Sequence, residues 1–242
     1  MIVNYTASGW EIITQRAHGL LAAQLAAHWK KPKRSTRWLE TLLAIADHDD
    51  AQIEMERDNL LTPQGGPVNF KMKHFELEHG KRTLNFALSK SRYIALLCSM
   101  HLEFVYGRER DTNTEAAQFL NEQAITRKQW RKELNLSEQA AQKDYDLLEW
   151  CDAFSLLLCQ HENQPESRAI EISQGPDHKH YHCIQLCPGK LTVTPWPYEE
   201  PTFDVYFESR ILPQLYFRDE TEFKDQFNKA KVTSNTWILE KS

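Results

Sequence analysis

The chain has 242 residues and a mass of 28.4 kDa, enough for one large domain or two small ones with a proper core. Its formal net charge of -5 is opposite in sign to that of most proteins that bind a nucleic acid backbone, so no nucleic acid partner is expected. No apolar run approaches the ~20 residues that span a bilayer, and the N-terminus lacks a signal-peptide pattern. We therefore predict a cytoplasmic protein without a membrane partner.

The first two thirds of the chain have the spacing of a helical protein. Residues 2–14 alternate apolar and polar side chains around Gly9, which predicts a short β-hairpin. From Thr14 to Gln160, apolar residues recur at helical spacing. Thr14 and Ser35 are candidate helix caps, and Thr112 has the spacing of a capping box with Glu115. The predicted helices cover residues 14–29, 35–45, 74–88, 91–106, 113–134 and 137–160.

The pattern of apolar residues changes from helical to β-type after residue 165. Short β-type runs predict strands over residues 169–173, 180–186, 191–196, 203–210 and 233–239, with a turn at Pro188-Gly189. We therefore predict a mainly α (α+β) fold, a helical body with a small antiparallel sheet from the C-terminal segment and the N-terminal hairpin. Residues 1–165 would form the helical domain and residues 166–242 a β-rich segment packed on it, or both would form one continuous domain.

Ionisable side chains occupy apolar helical settings at four places in the sequence. Asp152 lies in an apolar run, His48-Asp49 ends another, His101 closes a third, and His18 lies early in the first helix. A buried charge is retained only when it is paired, hydrogen-bonded or bound to a metal. Inward-facing ligands from several helices build metal sites in helical proteins. Imidazoles and carboxylates together accept Mn, Fe, Ni or Zn, and sometimes Mg.

Each of these residues, taken alone, is also consistent with an ordinary core side chain. A histidine on an apolar face often has both ring nitrogens satisfied by the protein, and Asp152 could pair with Arg16 or Arg92. Four such positions on four helices, taken together, favour a metal site. A metal held there lowers the pKa of its water and polarises a phosphoryl oxygen.

The order of these residues resembles that of the HD-domain superfamily of metal-dependent phosphohydrolases. The resemblance implies an HD-domain-like helical bundle in which His18, His48, Asp49 and Asp152 bind a divalent metal ion. It implies catalytic roles for Asp49 and for His101, the latter as a second-metal ligand or a phosphate-facing acid. The implied reaction is hydrolysis of a small phosphate ester or nucleotide by a metal-bound water.

A second resemblance covers most of the chain up to about residue 165. The similar segments are Gly9–Gln15 with His18, Ala46–Asp50, Gly66–Phe70, Ser99–His101 and Asp152–Leu156. They resemble the bacterial family called domain of unknown function 3891, which implies a fold and a site but no reaction. Asp50-Ala51-Gln52 departs from the HD pattern, in which a general base follows the His-Asp pair. Glu54 or Asp50 is the candidate substitute.

Three alternatives remain open at the level of the sequence. If the same site held iron, it would suit a di-iron oxygenase-like enzyme. If the HD site were degenerate, the protein would be a non-catalytic binding or interaction protein. The segment His178–Cys187 is dense in potential Zn or Ni ligands, although a solvated hairpin face explains it better. A homo-oligomer is also compatible with the sequence.

Overall fold

The computed structural model describes residues 1–56 and 59–242. Its helices and strands follow in chain order: β1 (Ile2–Thr6), β2 (Gly9–Ile13), α1 (Gln15–Ala27), α2 (Trp38–Asp47), α3 (Leu77–Leu88), α4 (Arg92–Tyr106), α5 (Thr114–Glu133), α6 (Glu138–Cys159), β3 (Ala169–Gln174), β4 (His180–Cys187), β5 (Lys190–Thr194), β6 (Thr202–Leu212), α7 (Glu220–Lys229) and β7 (Val232–Glu240). None of the described helices is both long and apolar enough to cross a membrane.

Side-chain caps explain where several helices begin. Thr14 caps α1 as predicted, because its hydroxyl accepts a hydrogen bond from the backbone amide of Ala17. The predicted cap at Ser35 is wrong. Its hydroxyl accepts from the amide of Arg37 and donates to Asp144 on α6, and the helix begins only at Trp38.

The predicted capping box at the start of α5 is also wrong. The side chain of Asn113 accepts from the amide of Ala116, which places the cap one residue after Thr112. The neighbouring helices α4 and α6 begin after serines whose hydroxyls accept from amides of the first turn.

The prediction of a mainly helical, HD-domain-like bundle with a small antiparallel sheet is wrong. The described residues are 48% helical and 22% strand, and the sheet is large, mixed and curled. Its seven strands follow the order β1-β2-β6-β7-β5-β4-β3, and β5 runs parallel to β7. The sheet is large because β6 and β7 pair from Thr202 to Arg210, and β2 then adds the N-terminal hairpin to the other edge of β6.

The core lies between this sheet and the helices α1 and α6. Side chains from α1 and α6 share one buried cluster with side chains from β4, β5, β6 and β7. Its largest members include Trp29, Trp150, Tyr181 and Tyr198, whose rings meet edge to face or tilted. The helices α2 and α4 pack on the side of α1 and α6. This arrangement brings four helices together at the side of the core away from most of the sheet. The division of the chain at residue 165 stays a prediction.

The helix α7 was not predicted from the sequence. Asp219 caps it by accepting a hydrogen bond from the amide of Glu222. Phe223 and Phe227, four residues apart, bury one face of α7 in a second cluster that includes Phe217. All five cysteines are free, and among them only Cys187 is exposed.

Candidate metal centre

Three of the predicted ligands come together at the meeting point of α1 and α2. His18 lies near the start of α1, and His48 and Asp49 follow directly after α2. The Nε2 atom of His18 is 3.3 Å from Oδ2 of Asp49, and the Nε2 atom of His48 is 3.9 Å from the same oxygen. One potential ligand atom from each of these side chains lies within 4.8 Å of the others.

The helices α4 and α6 complete the cluster. Oδ1 of Asp152 is 3.3 Å from Nε2 of His48 and 3.8 Å from Nε2 of His18. Its other oxygen, Oδ2, is 4.0 Å from Nε2 of His101. His48, His101 and Asp152 form a second group whose ligand atoms lie within 4.8 Å of one another. The structure therefore brings all five predicted site residues together, with His48 shared by both groups.

Hydrogen bonds to the outer nitrogens hold two of these histidines in the tautomer that a metal needs. His48 donates from Nδ1 to the carbonyl oxygen of Ile45 at 2.7 Å. His18 contacts the hydroxyl of Ser155 at 2.8 Å through Nδ1, and that hydroxyl donates its only proton to the carbonyl of Asp152. The Ser155 oxygen must therefore accept from His18. Both histidines therefore donate from Nδ1 to these outer groups, which leaves Nε2 facing the carboxylates as the ring nitrogen available to a metal.

The Ser155 hydroxyl is expected to support metal binding through His18. Ser155→Ala removes the acceptor that fixes the ring, so metal affinity should fall about 10–100-fold without loss of the fold. Titration with Mn²⁺ or Zn²⁺ measures the change. Ser173→Ala is the control, because the hydroxyl of Ser173 bonds to Glu149 instead. Equal metal affinities of wild type and Ser155→Ala would show that Ser155 does not support metal binding.

The charges of the cluster fit a divalent cation. Burial opposes ionisation of Asp49 and Asp152, yet the neighbouring histidines outweigh it and hold the pKa of both carboxyls below the usual range. The two carboxylates contribute a formal charge of -2. The Nε2 atom of His48 is buried without a well-formed hydrogen bond in the described structure. The residues present therefore fit a metal ion, since imidazole nitrogens and carboxylate oxygens, both ordinary metal ligands, converge here.

Without a metal, a proton on His48 balances part of this charge. Burial lowers the pKa of His48, but the carboxylates of Asp152 and Asp49 outweigh it and raise the pKa to about 9. His101 behaves in the opposite way, because burial and the charge of His48 lower its pKa to about 4. At pH 7, His48 is therefore charged and His101 is neutral.

Metal binding at pH 7 is expected to release about one proton. A metal binds only the neutral imidazole, so it must displace the proton that His48 carries below its pKa of about 9. Proton release should disappear as the pH rises through that value, and apparent affinity should weaken as the pH falls from it. Calorimetric titrations in buffers of different ionisation enthalpy measure the number of protons. Release of no proton at pH 7 would contradict this assignment.

A family profile matches the part of the chain that contains all five residues of this centre. The sequence profile of the family described as "Protein of unknown function (DUF3891)" matches residues 1–214. The chain belongs to this family. The match continues past residue 165, where the similar motifs end, and includes β3, β4, β5 and β6. No curated protein and no solved structure matches the chain.

In this DUF3891 member, the carboxylates form the accessible edge of the centre. The side chains of His18 and His48 have no exposed surface, whereas 18% of the Asp49 side chain and 11% of the Asp152 side chain are exposed. Gln15 orients Asp49 by donating from Nε2 to its Oδ2 at 2.8 Å. Gln15 lies three residues before His18, on the same side of α1, and this spacing is the sequence signal that could have revealed it.

Other residues considered from the sequence have different partners. Arg16 pairs with Asp50, and Arg92 pairs with Glu133, so neither arginine neutralises Asp152. Glu54 accepts a hydrogen bond from the backbone amide of Gln15 and lies 3.3 Å from the amino nitrogen of Met1. Asp50 and Glu54, the candidate general bases, are thus engaged elsewhere and belong to neither group of potential ligands among the described residues.

The second candidate cluster, in the segment His178–Cys187, does not form a converging ligand set. His180 is exposed and pairs with Glu171 across the β3–β4 ladder. Cys183 is buried in the core, whereas Cys187 is exposed at the end of β4. In the part of the chain that the structure describes, the groups able to hold a metal include none of these residues. This outcome is consistent with the solvated hairpin face.

Proposed function

We propose that the protein is a metal-dependent phosphohydrolase that acts on a small phosphate ester or nucleotide. The observation that carries this proposal is the convergence of three imidazoles and two carboxylates from four helices, with a charge that suits a divalent ion. The order of the ligands along the chain, which resembles that of HD-domain phosphohydrolases, supports the choice of reaction.

His18, His48, Asp49 and Asp152 would hold the ion, and neutral His101 would be a fifth ligand. A bound divalent ion supplies Lewis acidity to a phosphoryl oxygen and makes a water more acidic. His101 is neutral at pH 7, which favours a ligand over a proton donor, since its pKa is about 4. The partly exposed edge of Asp49 and Asp152 is where a phosphate ester would approach.

The reaction balances as an ordinary ester hydrolysis. The oxygen of water forms a bond to phosphorus as the ester oxygen–phosphorus bond breaks. A proton from the water passes to the leaving oxygen, and the products are an alcohol and inorganic phosphate. The buried imidazoles fix the positions of the reacting groups, because their outer nitrogens are held by Ile45 and Ser155.

Metal content and phosphate release together test this function. Purified untagged protein is analysed for metals as isolated and after reloading with Mn²⁺, Fe²⁺, Ni²⁺, Zn²⁺ or Mg²⁺, and each form is assayed with 4-nitrophenyl phosphate and nucleoside monophosphates. We expect about one or two ions per chain and phosphate release, both lost in His48→Ala and Asp152→Ala. Ser173→Ala is the control that should retain both.

The alternatives predict different results in the same experiment. Bound iron with oxygen consumption and no phosphate release would replace hydrolysis by the oxygenase function. A protein that holds no metal after reloading would contradict any metal-dependent activity and favour a binding or interaction protein. Metal that is retained in both variants would contradict the proposed centre.

A further inference from the structure

A groove with a volume of about 380 Å³ runs between α4, α5 and α6, beside the candidate metal centre. Its walls combine apolar, aromatic and cationic side chains, including Met100, Phe104, Arg127, Arg131 and Tyr145. None of these residues is among the proposed ligands. Small-molecule sites in proteins are typically concave, mostly apolar and provided with a few polar groups.

Two aromatic residues that line the groove lie next to His101 of the centre. Phe104 lies one turn after His101 on α4, and the two rings are close to parallel, with centroids 6.2 Å apart. The ring of Tyr145 is 6.3 Å from that of His101. Tyr145 also precedes Asp152 by seven residues, about two turns or 10 Å along α6. The groove therefore lies one layer of aromatic side chains away from His101.

A buried hydroxyl in the groove lacks a protein partner. Tyr145 is only 6% exposed, and its hydroxyl makes no hydrogen bond with any described residue. A phenol with an ordinary pKa of about 10 keeps its proton at neutral pH and is a donor. Because a buried polar group without a partner is unfavourable, an acceptor atom of a bound ligand at this position would stabilise the hydroxyl.

The charges of the groove favour an anion. Arg127, Lys128 and Arg131 lie on neighbouring turns of α5 at its rim. Glu103 pairs with Arg110 and Arg127, and Glu138 pairs with Arg131, so three basic and two acidic side chains leave the lining with one excess positive charge. Phe104 is 56% exposed, so its face is available to a flat apolar group.

We propose that this groove binds the aromatic part of the ester on which the metal centre acts, so that the substrate is an aryl phosphate whose ring carries an acceptor group. The ring would lie against Phe104, the acceptor would receive the hydrogen bond of Tyr145, and the phosphoryl group would face Asp49 and Asp152. The ~10 Å between Tyr145 and Asp152 along α6 suits a six-membered ring with polar groups at both ends. This inference rests on the proposed function for the identity of the phosphoryl group.

Three non-hydrolysable probes test the groove by binding alone. Methylphosphonate lacks the ring, phenylphosphonate adds it, and 4-carboxyphenylphosphonate adds an acceptor. Affinities are measured by calorimetry in metal-free and Mn²⁺-treated protein. We expect 4-carboxyphenylphosphonate to bind at least ~30-fold more tightly than methylphosphonate, through gains of about 10-fold from the ring and several-fold from the acceptor.

Two variants separate these contributions, with a third as control. Phe104→Ala should reduce the advantage of the ring to less than about 3-fold. Tyr145→Phe should weaken binding of 4-carboxyphenylphosphonate several-fold and leave binding of phenylphosphonate unchanged. The melting temperature should not fall, because the hydroxyl has no protein partner to lose. Phe86→Ala, at a partly exposed phenylalanine on α3, should change none of the affinities.

The results distinguish this inference from the proposed function. The assignment of the ring to this groove would be wrong if wild type bound the three probes equally. It would also be wrong if the preference for the ring persisted in Phe104→Ala. Loaded protein that hydrolyses alkyl and aryl phosphates equally well would also overturn the groove while supporting hydrolysis. A ring preference that depends on Phe104, in a protein that binds no metal and releases no phosphate, would support the groove and contradict the hydrolase.

Discussion

Asp152→Asn is expected to weaken divalent-metal binding by more than about 100-fold while the protein stays folded. Asp152 is the side chain that faces all three histidines, with its two oxygens 3.3 to 4.0 Å from their Nε2 atoms. The amide has nearly the same volume but no charge, so the effect should exceed the 10–100-fold that changes to outer-shell groups cost. Metal titration of wild type and variant measures the difference.

The same substitution should also change the proton balance of the centre. The charge of Asp152 helps to raise the pKa of His48, so in Asp152→Asn that pKa should fall and fewer protons should be released when metal binds at pH 7. Asp146→Asn is the matched control on α6, because Asp146 accepts a hydrogen bond from Gln142 outside the centre. A variant that binds metal as tightly as wild type would exclude Asp152 as a ligand.

Local patterns in the sequence predicted the elements of this fold better than their assembly. Thr14 and Gly9 mark a helix start and a hairpin turn through interactions with near neighbours in the chain. The size of the sheet depends instead on pairings between distant segments, such as Glu11 with Ile211 and Lys190 with Ile238. The pattern of apolar residues within one strand does not show which other strand pairs with it. The sheet was therefore predicted to be small, whereas seven strands form one sheet.

Charged and polar residues in apolar helical segments indicated the candidate centre. The residues that support the centre gave no such signal in the sequence. Asp152 and His101 could be singled out because charged or polar side chains are rarely buried in apolar helices. Ser155 and Tyr145 are ordinary residues for a helix, and their roles depend on the partner that the fold brings near. A hydroxyl that fixes His18 and another without a partner are visible only in three dimensions.

Gly19→Ala is expected to lower the free energy of unfolding by about 2 kcal/mol and to weaken metal binding together with it. A Cβ atom at this position would lie 2.5 Å from the carbonyl oxygen of Ala46, which is backbone and cannot rotate away. The crossing of α1 and α2 must therefore open. The gain in helix propensity, about 1 kcal/mol, is too small to offset the full cost of the overlap.

This opening acts directly on the centre, because Gly19 is next to His18 and Ala46 is two residues before His48. Separation of α1 from α2 would move the imidazole of His18 away from Asp49, now 3.3 Å from it. Thermal unfolding should show a loss of about 4–8 °C, and the loss should be larger with saturating metal, since a weaker site contributes less stabilisation. Gly66→Ala is the control, because a Cβ there meets its nearest atoms at 3.7 Å or more. An unchanged metal affinity in a destabilised Gly19→Ala protein would contradict this coupling between the crossing of α1 and α2 and the positions of the ligands.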